Sequence, residues 1–443
     1  MSRLWDRGET LDAAVLRLTV DRDPELDLAL VPWDCVASAA HARMLAAIGI
    51  LEEDELAGLE RELAVIRRKA EAGEFRIAIE QEDGHTAIEN RLTERLGEAG
   101  RKIHTGRSRN DQVIAALRLW GRAKLLEQLE GLLTVVETLL DLAEEHRETS
   151  LPGTTHTRQA MPTTLGHHFG AWAEGLLDDA PWLRRAFDHL NRSPLGSGSG
   201  FGAALALDRE MVSDLLAFER PQVNTLAVQN DRGKSESLAL GCAAATATDL
   251  GRLATDLIRF SSEELGYVTL PAAVTTGSSI MPQKRNPDVL ELVRAGAARL
   301  RSRQAEVGAV YGGLTAGYHR DLQFTKEPFL SGMQSLADML TALGPVLTGL
   351  EIDRERCRAA VLPSTGATDA AMARVREGVP FRDAYREAAS GVEQATGDAA
   401  EAWRDRTHLG APGDFSQEAA RQALATEREW LAATRERIEN ALP

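Results

Sequence analysis

The chain has 443 residues, 43% of them hydrophobic but only 5% aromatic, and a formal net charge of −16. An acidic excess of that size disfavours nucleic acid and anionic membranes as partners, and no run of about 18 uncharged apolar residues is present to span a bilayer. Three cysteines, Cys35, Cys242 and Cys357, are odd in number and show no CxxC spacing, which argues against a disulfide framework or a zinc site.

The first residues, MSRLWDRGETLD, lack the apolar core of a signal peptide, so the expected location is cytoplasmic. Helical segments with short breaks follow. One is predicted over Glu53–Glu71, where Leu56, Leu59, Leu63 and Ile66 recur at helical spacing and Gly73 marks the stop. From about residue 107 the segments lengthen. Over 115–146 the residues Leu125, Leu129, Leu132, Val136, Leu139 and Leu140 make one apolar stripe. Further long helices are predicted over about 234–264, 287–310 and 329–350. Leu and Ala dominate, which suits long helices better than sheets.

The breaks at 151–157, 191–202 and 271–287 are rich in Gly, Ser, Thr and Pro, and no alternation sustained over several strands is visible. The expected fold is therefore all-α. It has an N-terminal helical domain (1–106), an elongated central bundle (107–351) and a C-terminal helical domain (352–443), where Val379–Asp383 turns into a further helix. Helices this long are more than one chain buries by itself, which points to an oligomer.

Several segments carry more chemistry than a connection needs. Near the N-terminus stands Asp34-Cys35-Val36-Ala37-Ser38-Ala39-Ala40-His41-Ala42, followed by Glu82-Asp83-Gly84-His85-Thr86-Ala87-Ile88-Glu89. His85 reads equally well as a structural histidine. The stretch His104-Thr105-Gly106-Arg107-Ser108-Arg109-Asn110-Asp111-Gln112-Val113 opens the first long helix, with Asn110 or Asp111 expected near its cap. Two arginines and an asparagine at a helix start suit a dicarboxylate. Pro152-Gly153-Thr154-Thr155-His156-Thr157-Arg158 sets one histidine in a connection.

The loop Gly277-Ser278-Ser279-Ile280-Met281-Pro282-Gln283-Lys284-Arg285-Asn286-Pro287 gathers two hydroxyls, a lysine and an arginine before a helix that Asn286 and Pro287 are suited to start. Backbone N–H groups and fixed cations together make an anion site. Finally, Tyr318-His319-Arg320-Asp321-Leu322-Gln323-Phe324-Thr325-Lys326-Glu327 precedes the last long helix. Two features are not promoted. Gly196-Ser197-Gly198-Ser199-Gly200 lacks the lysine of a phosphate loop and reads as a tight connection, while His167 and His168 point in different directions and make a poor metal pair.

These segments resemble the fumarase/aspartase superfamily, whose signature is GSSxMPxKxNP, and within it the argininosuccinate lyase family, whose HTGRSRNDQV stretch is matched at every position. The resemblance runs from about residue 34 to about 330. There are departures: Thr154 for Tyr, Thr157-Arg158 for Leu-Gln, Ala37 for Gly, and Leu4-Trp5-Asp6-Arg7-Gly8 as a shortened LWGGRF.

The resemblance implies elimination of fumarate from argininosuccinate to give L-arginine, the last step of arginine biosynthesis, with no cofactor and no metal. It implies Ser278 and His156 as the proton carriers and Glu291 as the partner of His156. Substrate contacts would come from Ser38, Arg109, Asn110, Thr155, Lys284, Asn286, Tyr318, Gln323 and Lys326. It also implies a homotetramer with a shared helical core, each site drawing on three chains. Which of Ser278 and His156 takes the proton is left open, with Ser278 favoured as base, and so are the roles of Arg158 and Arg232. The rivals are another fumarate-releasing lyase, acting on adenylosuccinate, aspartate or malate, and a non-catalytic structural homologue.

Overall fold

A computed structural model describes residues 12–391 and 398–442. The shortened motif Leu4–Gly8 lies outside the described residues.

The molecule is built on helices. The first part contains α1 (Ala13–Val20), α2 (Val31–Ala47), α3 (Glu53–Glu71) and α4 (Gly84–Leu96). The helix predicted over Glu53–Glu71 has those bounds, and Gly73 adopts the left-handed conformation (φ 71°) that a helix stop favours. Next come α5 (Arg109–Glu145), a hairpin of β1 (Ser150–Thr155) and β2 (Arg158–Thr164), α6 (Leu165–Leu177) and α7 (Ala180–Leu190). The other long helices are α8 (Lys234–Phe260), α9 (Asp288–Gly312) and α10 (Lys326–Thr348). The chain closes with α11 (Ala367–Arg376), α12 (Phe381–Ser390) and α13 (Glu418–Ala441).

The stripe read from 115–146 is the buried edge of α5, a helix of 37 residues and so about 55 Å long. It packs on α10, which packs on α9, which lies along α8. Leu129, Leu132, Leu133, Val136, Leu139 and Leu140 of α5 join Phe329, Met333, Leu336 and Leu343 of α10 and Leu250, Leu253 and Leu257 of α8 in one apolar core. A second core joins α2, α3 and α4 through Met44, Leu45, Leu59, Leu63, Ile66 and Leu92, and draws in Ala115 and Leu119 from the start of α5.

The molecule is mostly helical, as expected, but not every connection is irregular. Three two-stranded sheets are present among the described residues, and the one at 150–164 is a true antiparallel hairpin. It stands where a loop was predicted. Two expected caps also shift by a residue or more. The Ser108 side chain caps α5, its N–H being accepted in return by the Asp111 carboxylate, so Asn110 lies inside the helix. Pro287, rather than Asn286, occupies the cap of α9.

The glycine run is a tight connection, as predicted. Gly196, Gly198, Gly200 and Gly202 all have positive φ. The turn is held by Asp111, whose second carboxylate oxygen accepts the backbone N–H groups of Gly196 (3.1 Å) and Gly198 (2.8 Å). One buried carboxylate thereby fixes both the start of α5 and the turn beside it.

Candidate active site

The start of α5 is one wall of a cavity of about 490 Å³. Ser108, Arg109 and Asn110 line it, with Asp83 and His85 from the start of α4, Arg232 from just before α8, and Tyr318, Gln323 and Lys326 from the segment leading into α10. Five predicted substrate contacts, Arg109, Asn110, Tyr318, Gln323 and Lys326, therefore meet here although more than 200 residues separate the first from the last.

Their partners were not predicted. Lys326 is buried and reaches Asp23 (2.8 Å) and Asp27 (2.5 Å). Burial opposes its charge, but those two carboxylates outweigh it and its pKa is raised. Arg109 bridges Glu82 (3.1 Å) and Asp83. Gln323 donates its amide to the carbonyls of Thr19 (3.1 Å) and Val20 (3.3 Å) at the end of α1. Of these five, Asn110 and Tyr318 make no side-chain hydrogen bond among the described residues, and both line the cavity.

His85 lines the cavity and has a carboxylate partner. Its Nδ1 lies 2.6 Å from Asp34, and both are buried. Burial works against the imidazolium, yet Asp34, then Asp83 and Asp27, raise its pKa. Ser38 departs from its expected role. It is 1% exposed, does not line the cavity, accepts a hydrogen bond from Arg107 (2.8 Å) and donates to Asp34 (3.3 Å). Its hydroxyl links the Arg107 and His85 walls. Arg232, buried against Glu236 (3.1 Å) and the Leu322 carbonyl (3.2 Å), also reaches the cavity wall.

The remaining predicted residues sit elsewhere. Antiparallel backbone bonds between Thr276 and Asn286 close the neck of an exposed loop. The Asn286 amide is used at that neck, donating to Thr276 Oγ1 and the Gly277 carbonyl (both 3.4 Å). Within the loop, Ser278 Oγ accepts the backbone N–H groups of Ile280 (3.3 Å) and Met281 (3.1 Å). Donors aimed at a hydroxyl oxygen are what an alkoxide would need. Lys284 is exposed on the same loop.

His156 and Thr155 are exposed at the tip of the β1–β2 hairpin. Within one chain, no hydrogen bond or ion pair among the described residues joins Glu291 to His156, and Glu291 is exposed on the first turn of α9. His167 and His168 serve separate partners, Thr163 with the Gly410 carbonyl and Asp256 respectively.

Asp23 and Asp27 are the site residues that sequence reasoning missed. Four residues apart around Pro24, they read as an ordinary acidic turn, and only the fold brings Lys326 between them.

The cavity, the hydroxyl loop and the long-helix body together have the character of a lyase. The sequence profile of a family described as Lyase matches residues 17–301, more than half of the chain, and the chain belongs to that family. The solved structure of an EDDS lyase variant with bound fumarate is similar over 98% of this chain and 94% of that one, with a TM-score of 0.82 and 25% identity. A class II fumarase from Schistosoma mansoni shares the fold, at a TM-score of 0.72 and 15% identity over 87% of this chain and 92% of that one.

Among curated relatives, the argininosuccinate lyase of Sorangium cellulosum is 45% identical over 94% of this chain and 96% of that protein. That of Stenotrophomonas maltophilia strain R551-3 is 44% identical over 88% and 91%. The branch of the lyase family to which the chain belongs is that of the argininosuccinate lyases.

Proposed function

We propose that the protein splits argininosuccinate into L-arginine and fumarate, and that it does so in sites shared between copies of the chain. The observation that carries the reading is the division of the machinery. The residues suited to hold a substrate with three carboxylates line one cavity, while the two proton carriers stand outside its lining on separate projections, His156 exposed and Ser278 half-buried. A second copy, or two, would bring Ser278 and His156 to that cavity.

The long helices support such an assembly. α9 has 25 residues, and within the chain it buries only the edge carrying Leu290, Val293, Ala297, Leu300 and Val307. Its exposed side carries Ala295, Ala298, Ser302, Ala305, Ala309 and Gly312 at steps of three and four. Small residues at that spacing let another helix approach closely. Glu291 is one step further along the same line, where it could meet a partner's His156. A homotetramer with a shared helical core fits this arrangement. Among the described residues no helix is long and apolar enough to cross a membrane.

The chemistry runs as follows. Ser278 first loses its hydroxyl proton to solvent, and the alkoxide, its oxygen held by two loop N–H groups with Lys284 on the same loop, takes the proton from the succinyl carbon. The electron pair spreads onto the adjacent carboxylate, whose added charge Lys284 and the loop amides offset. The C–N bond then breaks, and His156 gives a proton to the departing guanidino nitrogen. Glu291 would orient that imidazole and fix its tautomer. The Arg109 guanidinium, the His85 imidazole and the amide of Asn110 line the cavity and are suited to the substrate carboxylates.

The test is fumarate release from argininosuccinate by the purified protein, followed by ultraviolet absorbance, with adenylosuccinate, aspartate and malate as competing substrates. Turnover of argininosuccinate alone is expected. His156→Asn and Ser278→Ala should each lose at least about a hundredfold in kcat, the scale of a lost general acid or base. Near-parental turnover in both would sink the assigned roles.

A further inference from the structure

The hairpin at 150–164 has a braced stem and an unbraced tip. Gln159 donates to the Ala360 carbonyl (2.7 Å) and accepts the Leu362 N–H (3.0 Å), and the Trp403 indole donates to Ser150 Oγ (3.1 Å). Past the last strand pair, Thr155 with Arg158, the chain reverses through His156 and Thr157 alone. Their φ angles are 52° and 61°. Neither side chain makes a hydrogen bond or ion pair among the described residues, and both are exposed.

A two-residue hairpin turn with both central residues at positive φ fits the twist of the strands, and it favours Asn-Gly. Here it carries a histidine and a β-branched threonine, a residue class that avoids positive φ. Only five non-glycine residues among those described have positive φ, and two of them are neighbours at this tip. Strained backbone persists where the surrounding structure enforces it, and it concentrates where geometry matters for function. With no hydrogen bond or ion pair among the described residues holding the imidazole, its placement relative to the stem follows from the backbone torsions of these two residues together with its own rotamer.

We propose that Thr157 is a positioning residue for His156. Its branched side chain narrows the excursions of the left-handed turn and so aims the imidazole in one direction. The proposal rests on the reading of His156 as proton donor given above.

The test compares Thr157→Gly, Thr157→Val and His156→Asn in the full-length enzyme, measuring kcat, KM and the thermal midpoint. Glycine relieves the strain and frees the turn. The expected result is a higher midpoint, kcat about tenfold lower and KM within about twofold. Valine keeps the branching without the hydroxyl and should keep kcat within about twofold of the parent. Parental kcat in Thr157→Gly would overturn the proposal, as would a Thr157→Val enzyme as slow as the glycine variant. If His156→Asn itself turns over normally, the reading of His156 fails instead. An inactive His156→Asn beside a fully active Thr157→Gly sinks the positioning role alone.

Discussion

Arg158 stands directly across the hairpin from Thr155, so the two side chains leave the same face of the sheet. It is exposed and makes no ion pair among the described residues. Beside His156, such an arginine suits a substrate carboxylate, which it can bind with full charge. Arg158→Gln should raise KM for argininosuccinate by about tenfold, the worth of one charge-assisted contact, with kcat little changed. An unchanged KM, measured by initial rates at low ionic strength, would leave Arg158 a bystander on the hairpin.

At the scale of single elements, the start of α7 carries a cost that depends on pH. Asp179 occupies its cap, is 8% exposed and has a carboxylate oxygen without a hydrogen-bond partner. Burial, with Asp249 adding, raises its pKa to about 7. Between about pH 4 and pH 7 the unfolded chain ionises this group while the folded chain keeps it protonated. Its effect therefore favours folding most at the acidic end and declines as pH rises to about 7, by an amount on the order of a few kcal/mol. Asp179→Asn should flatten the fall in thermal midpoint across that range, and an unaltered slope would show that Asp179 does not control it.

Elements differ in how far the sequence reveals them. The long helices were legible because Leu and Ala recur at helical spacing along each buried edge, as over 125–140. The hairpin was not, since Ser150–Thr155 and Arg158–Thr164 contain Gly153, Pro152 and Pro162, show no alternation, and owe their stem to clasps from residues about 200 positions away. At the site, the resemblance to the family's motifs named Arg109, Asn110, Tyr318, Gln323 and Lys326, and the fold brings them to one cavity. The acids that set their charge state, Asp23, Asp27 and Glu82, are brought to them only by tertiary packing.

For the whole molecule, the proposal that sites are shared between chains has two measurable consequences. If His156 and Ser278 reach a site from different chains, mixing His156→Asn with Ser278→Ala, then dissociating and reassembling them, restores some intact sites. Random pairing sets the ceiling at about a quarter of parental activity. No recovery from a mixture that sedimentation proves to be mixed would place both residues in one chain. Replacing Ala298 and Ala305 of α9 with tryptophan should block the close approach of a second helix. The expected outcome is smaller species in sedimentation and lost turnover with helix content retained. A variant still assembled and active would move the interface elsewhere.

The clasps on the hairpin stem give the last hundred residues a task that none of the substrate contacts reveals. Gln159 grips the backbone at 360–362, and Trp403 and Arg406 grip Ser150 and Pro162. The C-terminal region thus serves as the mount for an imidazole that it never touches. If His156 is the proton donor, damage there, by truncation or by loss of Trp403, should register first as a fall in kcat rather than as weaker binding.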